Sequence, residues 1–351
     1  MKTYIIIGLH FFFFSIIHGQ NISRYSCDIY FGNTVFENAF VGGLNSPQFN
    51  TIDINRNGLS DLVVFDRDGD KLNVFLRDPD DHSRFIFAPQ YNDVFPDIKS
   101  WMLLVDYNND GIEDLFTSYS GGIEVWKAIE VGNTVRFEKI RNPRSPEDIL
   151  TYPLGNYTYH VECLNVDIPV IADLDGDGDV DILSFGLNNS VAYYKNLSAE
   201  NNISPDSFKF VFSDPCWGKF EEHPLNEEIL LSDDPNRCAK WWASIDHRHI
   251  GSTILAIDPD GDGIYDLLVG DVGTDYIIYL VNEGDKDRAW ITAVEKYFPQ
   301  YDVPVRLNTF VGMYSIDADN DGQKDLIFAP NAISDIPFPQ NINNIHYYRN
   351  E

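Results

Sequence analysis

One nine-residue pattern, occurring five times, constrains this chain more than any other feature. It runs Asp53, Asn55, Asn57, Leu59, Asp61 at alternate positions, with Gly58 between the third and fourth. It returns as Asp106, Asn108, Asp110, Ile112, Asp114 with Gly111, and as Asp173, Asp175, Asp177, Asp179, Asp181 with Gly178. The last two copies are Asp258, Asp260, Asp262, Ile264, Asp266 with Gly263, and Asp317, Asp319, Asp321, Gln323, Asp325 with Gly322. Oxygen donors at positions 1, 3 and 5 of a tight loop converge on one point, and the position-7 carbonyl and a position-9 Asp close the shell. A hard cation that takes six to eight oxygens, such as calcium, fits that cage. Glycine at position 6 supplies the positive φ that the turn needs. Carboxylates held this close repel one another, so the loop calls for a cation. The first copy, with Asn55 and Asn57, has the fewest charges and is expected to bind most weakly. Loops 173–181 and 317–325 are expected to bind most tightly, while Pro259 stiffens the entry to 258–266.

An EF-hand begins the same way but needs a bidentate Glu at position 12 and helices on both sides. Position 12 is Val64, Thr117, Ser184, Val269 or Phe328. The flanks read as buried strands, for example 101–105, 254–257 and 267–269. Each loop therefore joins two strands. A third strand follows each loop at 72–76, 123–126, 191–196, 276–282 and 345–350, with hairpin signals such as Asp68-Gly69 and Gly121-Gly122 between. Units of about 50 residues with four strands each are the signature of propeller blades. The chain is therefore expected to be all-β, with five four-stranded blades at about 40–97, 98–150, 151–213, 245–300 and 301–351. An excursion at 214–244 interrupts them.

The repeats resemble the FG-GAP/VCBS family, whose blades build integrin-α-like propellers and occur in many secreted bacterial proteins. The resemblance spans roughly residues 40–351. Segments 42–49, 216–218 and 249–253 are similar to surface-exported members from Bacteroidetes-type bacteria. It implies up to five calcium ions held at positions 1, 3, 5 and 9 of each copy, with the position-7 carbonyl. It also implies adhesion, or binding of a carbohydrate or protein ligand at the cell surface. Integrin-like propellers usually have seven blades, so five blades imply either part of a larger propeller or a different closure.

Composition narrows compartment and partner. The chain opens with Lys2 and an apolar run to Ile17, too short for the roughly 20 residues of a membrane span. With Gly19 following, residues 1–20 read as a secretory signal peptide cleaved after Gly19 or Gln20. No span is expected in the mature chain. The 55 acidic residues against 25 basic ones give a net charge of −30, which disfavours nucleic acid as a partner. Of Cys27, Cys163, Cys216 and Cys238, the local pair Cys216–Cys238 is the favoured bridge. That leaves Cys27 with Cys163, or both free.

The main function expected is a non-enzymatic binding module, with loops presented on a rigid scaffold. The alternative is a calcium-dependent polysaccharide lyase or hydrolase with its site at 214–253. That segment holds Glu221, Glu222, His223, His247, Arg248 and His249, with Trp217, Trp241 and Trp242 as sugar-stacking faces. A third reading is an architectural spacer.

Overall fold

A computed structural model of the chain describes residues 29–31, 34–36, 38, 41–186, 189–223, 228–240, 251–308, 310–332 and 343–350. The expected signal peptide and Cys27 lie outside these residues. The chain divides into two compact units, Met1–Ala39 and Phe40–Glu351. In the first, Ile29–Phe31 and Thr34–Phe36 form an antiparallel hairpin.

The second unit is a five-bladed β-propeller. Blade one consists of Pro47–Ile52, Asp61–Asp66, Lys71–Arg77 and Phe85–Phe87. Blade two is Met102–Val105, Asp114–Tyr119, Gly122–Glu130 and Val135–Lys139. Blade three is Val170–Ala172, Asp181–Phe185, Val191–Asn196 and Phe210–Asp214. Blade four is Ser252–Ile257, Asp266–Asp271, Ile278–Asn282 and Ile291–Lys296. Blade five shows three strands among the described residues, Val311–Ile316, Asp325–Pro330 and His346–Tyr348. Within each blade, neighbours in sequence pair antiparallel.

Burial explains the strand patterns. Second strands are flanked within the sheet and covered on both faces by neighbouring blades. They bury nearly every residue on both faces, as in the wholly buried Asp181–Phe185. The outer strand Val135–Lys139 instead alternates buried and exposed residues along its first four positions. The residues at position 12 of the repeats, from Val64 to Phe328, are buried second-strand residues, at 1% exposure or less. None could reach a loop cation.

Apolar clusters fill the gaps between blades. Val63, Phe65 and Val74 of blade one meet Met102, Leu115 and Ala128 of blade two. Leu183 and Phe185 of blade three pack with Leu267, Val269 and Leu280 of blade four. Leu268 and Ile277 join Val311, Met313 and Phe328 of blade five. The largest cluster includes Phe49 and Val64 of blade one, Phe116 of blade two, Ile182 of blade three and Tyr314 of blade five.

Polar side chains stitch the first strands together. Gln48 accepts the Met102 N–H at 2.9 Å and donates to the Ser100 carbonyl at 3.2 Å. Asn50 accepts the Leu104 N–H at 2.8 Å. These amides do the work of an extra strand between two blades whose backbones are not paired. Between blades three and four, Ile168 exchanges backbone bonds with Ser252 and Ile254. Between blades four and five, Thr253 donates to the Val311 carbonyl at 2.6 Å.

The ring closes on itself, which excludes the expectation that these blades are an incomplete arc of a seven-bladed propeller. Phe49 packs edge-on against Tyr314, with ring centroids 5.8 Å apart. The buried Arg67 donates to Asn331 Oδ1 at 2.9 Å and to the Asn165 carbonyl. The equally buried Arg77 donates to the carbonyls of Asp317 and Ala318 at 3.0 and 2.9 Å.

One boundary differs from the sequence expectation. Residues 151–160 do not open blade three. They form their own hairpin, Thr151–Leu154 with Tyr157–His160, and the blade begins at Val170. The excursion carries a short hairpin, Phe220–Glu222 with Ile229–Leu231, and the expected Cys216–Cys238 disulfide. Cys163 is a buried free thiol. Among the described residues, no helix is long and apolar enough to cross a membrane.

Candidate metal centre

All five acidic loops connect the first strand of a blade to the second. Each folds around its position-1 Asp, whose Oδ2 accepts the N–H of the position-6 glycine at 2.8–3.0 Å in every copy. Position 5 turns the chain onward by accepting the position-7 N–H, from 2.7 Å at Asp262 to 3.0 Å at Asp110 and Asp177. The position-6 glycines have φ between +80° and +97°, where a β-carbon is strained. Position 4 is also left-handed, a requirement the sequence reading missed. Gly176, Gly261, Asn109 and Asn320 suit it, whereas Arg56 adopts it at φ 55°.

In four of the five copies position 4 also touches the following blade. Arg56 pairs with Glu130 of blade two at 2.9 Å. Asn109 donates to the Gly178 carbonyl in loop three at 2.8 Å. Asn320 lies 3.4 Å from His82 of blade one. The tip of Lys286 from blade four lies against Gly176.

The carboxylates converge most closely in the three later copies. In loops three and four, one oxygen each from Asp173, Asp175 and Asp177, and from Asp258, Asp260 and Asp262, lies within 4.8 Å of the others. In loop five the trio is Asp317, Asp319 and Asp325. Asp319 Oδ1 is buried there without a hydrogen-bond partner, a position in which a cation would satisfy it. An all-oxygen donor set of this kind fits calcium rather than a nitrogen- or sulfur-seeking metal. In loop one, Asn55 and Asn57 replace two carboxylates. In loop two, Asn108 accepts the Asp110 N–H and donates to Asp114.

Position 9 has a further role that the sequence reading did not see. Its carboxylate clamps the third strand of the blade. Asp181 accepts the Asn196 N–H at 2.8 Å, the Tyr193 hydroxyl at 2.9 Å and the Leu174 N–H at 3.3 Å. Asp325 does the same with Asn350, Tyr347 and Ala318. Asp266 accepts from Asn282 and Tyr279. Asp61 and Asp114 accept the N–H groups of Arg77 and Ala128. Burial pushes Asp61 up to about 6, and Asp114 and Asp181 up to about 8, although the backbone donors pull each one down. A readable signal existed. Tyr193 and Asn196, Tyr279 and Asn282, and Tyr347 and Asn350 share one spacing on the third strands.

Of the alternative site in the excursion, the structure describes Trp217, Glu221, Glu222 and His223. Trp217 is buried in the core between blades three and four, where it lines a small cavity with Asp214, Tyr265 and Lys286. Glu222 is buried in the 220–231 hairpin, with its N–H on the Asn189 carbonyl. Trp241, Trp242, His247, Arg248 and His249 lie outside the described residues.

Fold and loops together define a five-bladed propeller with one acidic loop per blade. No protein-family model matches the chain, and no curated protein sequence matches it. Among solved structures, it is similar to a lectin from Agrocybe aegerita that recognises non-reducing terminal N-acetylglucosamine. Identity is 14%, the match covers 82% of this chain and 75% of the lectin, and the TM-score is 0.38. It is also similar to the Photorhabdus luminescens Tc holotoxin pore, at 16% identity and a TM-score of 0.32. That match covers 89% of this chain but only 14% of the toxin chain.

Proposed function

We propose that this chain is an exported, calcium-loaded binding module of the FG-GAP/VCBS kind, which engages a carbohydrate at the cell surface. The observation that carries the reading is the common geometry of the five loops, with carboxylates converging in three of them and Asp319 Oδ1 buried without a partner. Bound calcium would neutralise the loop carboxylates and lock the first two strands of each blade. Positions 1, 3, 5 and 9 would hold it, together with the position-7 carbonyl. Because position 4 in four of these loops reaches the neighbouring blade, an ordered loop there also steadies the contact between blades. The ring then presents its connecting segments as a fixed surface. The leader-like residues 1–20 and the Cys216–Cys238 bridge support export to an oxidising compartment.

The test is a panel of immobilised neutral, amino-sugar and uronate polysaccharides, probed with the protein in calcium and in chelator. Retention and release of reducing ends are scored together. Retention without release, lost on chelation, supports the binding reading. No retention on any polymer in calcium would refute carbohydrate as the ligand. Release of sugar ends would replace binding with catalysis.

A further inference from the structure

Loop three carries a feature that the other four lack. Its position 7 is Asp179, where the other copies have Leu59, Ile112, Ile264 and Gln323. Asp179 is 5% exposed. Its Oδ2 accepts the Ala199 N–H at 2.7 Å, but Oδ1 is buried with no hydrogen-bond partner. A buried carboxylate oxygen without a partner is costly and calls for an explanation. One oxygen each from Asp177, Asp179 and Glu200 lies within 4.8 Å of the others. Glu200 does not belong to the loop. It comes from the turn between the third and outer strands of the same blade, and its side chain is 38% exposed.

The local cation does not balance this group. Lys195 pairs with Glu200 at 2.7 Å and also with Asp175. Its ammonium is shared between Asp175 and Glu200 and forms no ion pair with Asp177 or Asp179. We infer that Asp177, Asp179 and Glu200 form a second site for a hard divalent cation of the calcium class, beside the site of loop three. Asp177 is shared between the two, as a carboxylate with two oxygens allows. Water can supply the remaining oxygens of the shell. Blade three thus takes two cations where its siblings take one. The second cation ties the first loop of the blade to its far turn. The inference adds to the calcium reading of the loops and rests on it only through Asp177.

The experiment counts ions on the full chain by native mass spectrometry at millimolar calcium, for wild type, Glu200→Gln, Asp179→Asn and Asp175→Asn. Glu200→Gln and Asp179→Asn leave the side-chain donors at positions 1, 3, 5 and 9 untouched. Each is expected to bind one ion fewer than wild type. Terbium-soaked crystals should show two anomalous peaks flanking Asp177 in wild type and one in Glu200→Gln. If both variants keep the wild-type count while Asp175→Asn loses an ion, the second site is refuted and the loop reading stands. If wild type binds no calcium, both fall. Glu200 is exposed enough for its substitution to leave folding intact, so where Asp179→Asn fails to fold, an unchanged count in Glu200→Gln by itself refutes the second site.

Discussion

Replacing Arg77 with methionine tests how the ring is closed. Arg77 ends the third strand of blade one and is 1% exposed. Its guanidinium donates to the carbonyls of Ser60 at 2.8 Å and His82 at 2.6 Å within its own blade. It also donates to Ala318 at 2.9 Å and Asp317 at 3.0 Å in blade five. The cation lies over the Phe85 ring, 4.6 Å from its centroid. One side chain therefore satisfies four carbonyls, two of them across the seam. Methionine keeps much of the volume but leaves all four carbonyls without this donor.

Hydrogen bonds from a charged donor contribute about 1.5–3 kcal/mol each, and water entering the vacated space recovers part of that. The net loss should be about 4 kcal/mol, a large share of the roughly 5–15 kcal/mol that holds a typical fold together. Urea unfolding of wild type and Arg77→Met, followed by tryptophan fluorescence, measures it. Hydrogen exchange should show the loss concentrated in Asp61–Asp66 and Val311–Ile316, the strands beside the seam. Arg77→Lys, with a point charge in place of a planar fork, should recover less than half. A loss below about 1 kcal/mol, or full recovery by lysine, would refute the view that this guanidinium closes the ring.

Four further perturbations probe the same geometry. Asp177→Ala removes a loop carboxylate and should lower the melting temperature in calcium but hardly at all in chelator. Asp181→Ala also removes the clamp on Asn196, Tyr193 and Leu174, so it should cost about 3 kcal/mol in both conditions. Thermal scans of the two variants with and without chelator separate these effects, and equal behaviour would undo the division of roles. Gln48→Leu deletes the amide that bridges Met102 and Ser100 and should cost about 2 kcal/mol in urea titration. Gln48→Asn, one methylene shorter, should not restore that loss. Removing the Cys216–Cys238 bridge, which spans 22 residues, should cost about 3 kcal/mol by the same titration, and no change would show that the excursion is held by packing alone.

The parts of the molecule that were legible in the sequence are those fixed by local spacing. Asp53 to Asp61 and its four relatives announce a loop because their constraints act within nine residues: a position-6 glycine, and oxygens that can meet only if the chain turns. The second strands were legible for a similar reason, since a segment covered on both faces carries adjacent apolar residues such as Leu62-Val63-Val64-Phe65 and Leu267-Leu268-Val269. Closure was not legible. Arg67 and Asn331 lie 264 residues apart, and nothing near either one marks the other. Blade number read from repeats therefore left open whether five units close or belong to a larger ring. The hairpin 151–160 falls inside the expected third blade because the repeat spacing marks loops and not where a blade's first strand begins. Only pairing shows that it faces its own partner.

The five loops differ in composition, yet the position-9 Asp never varies. The clamp explains why. Positions 3 and 5 can be Asn or Asp, because an amide oxygen can take the carboxylate's place toward a cation or a neighbouring N–H. Position 9 must accept from two or three donors at once, deep between strands, at exposures of 0% for Asp61, Asp114 and Asp325. An amide there would turn an N–H toward backbone N–H groups in at least one of those directions, and the second strand would lose its hold on the third. The same residue thus faces the loop on one side and the sheet on the other. Ion binding at positions 1–5 can reach the third strand of the blade through it. That coupling makes the acidic loops part of the propeller's framework rather than ornaments on its rim.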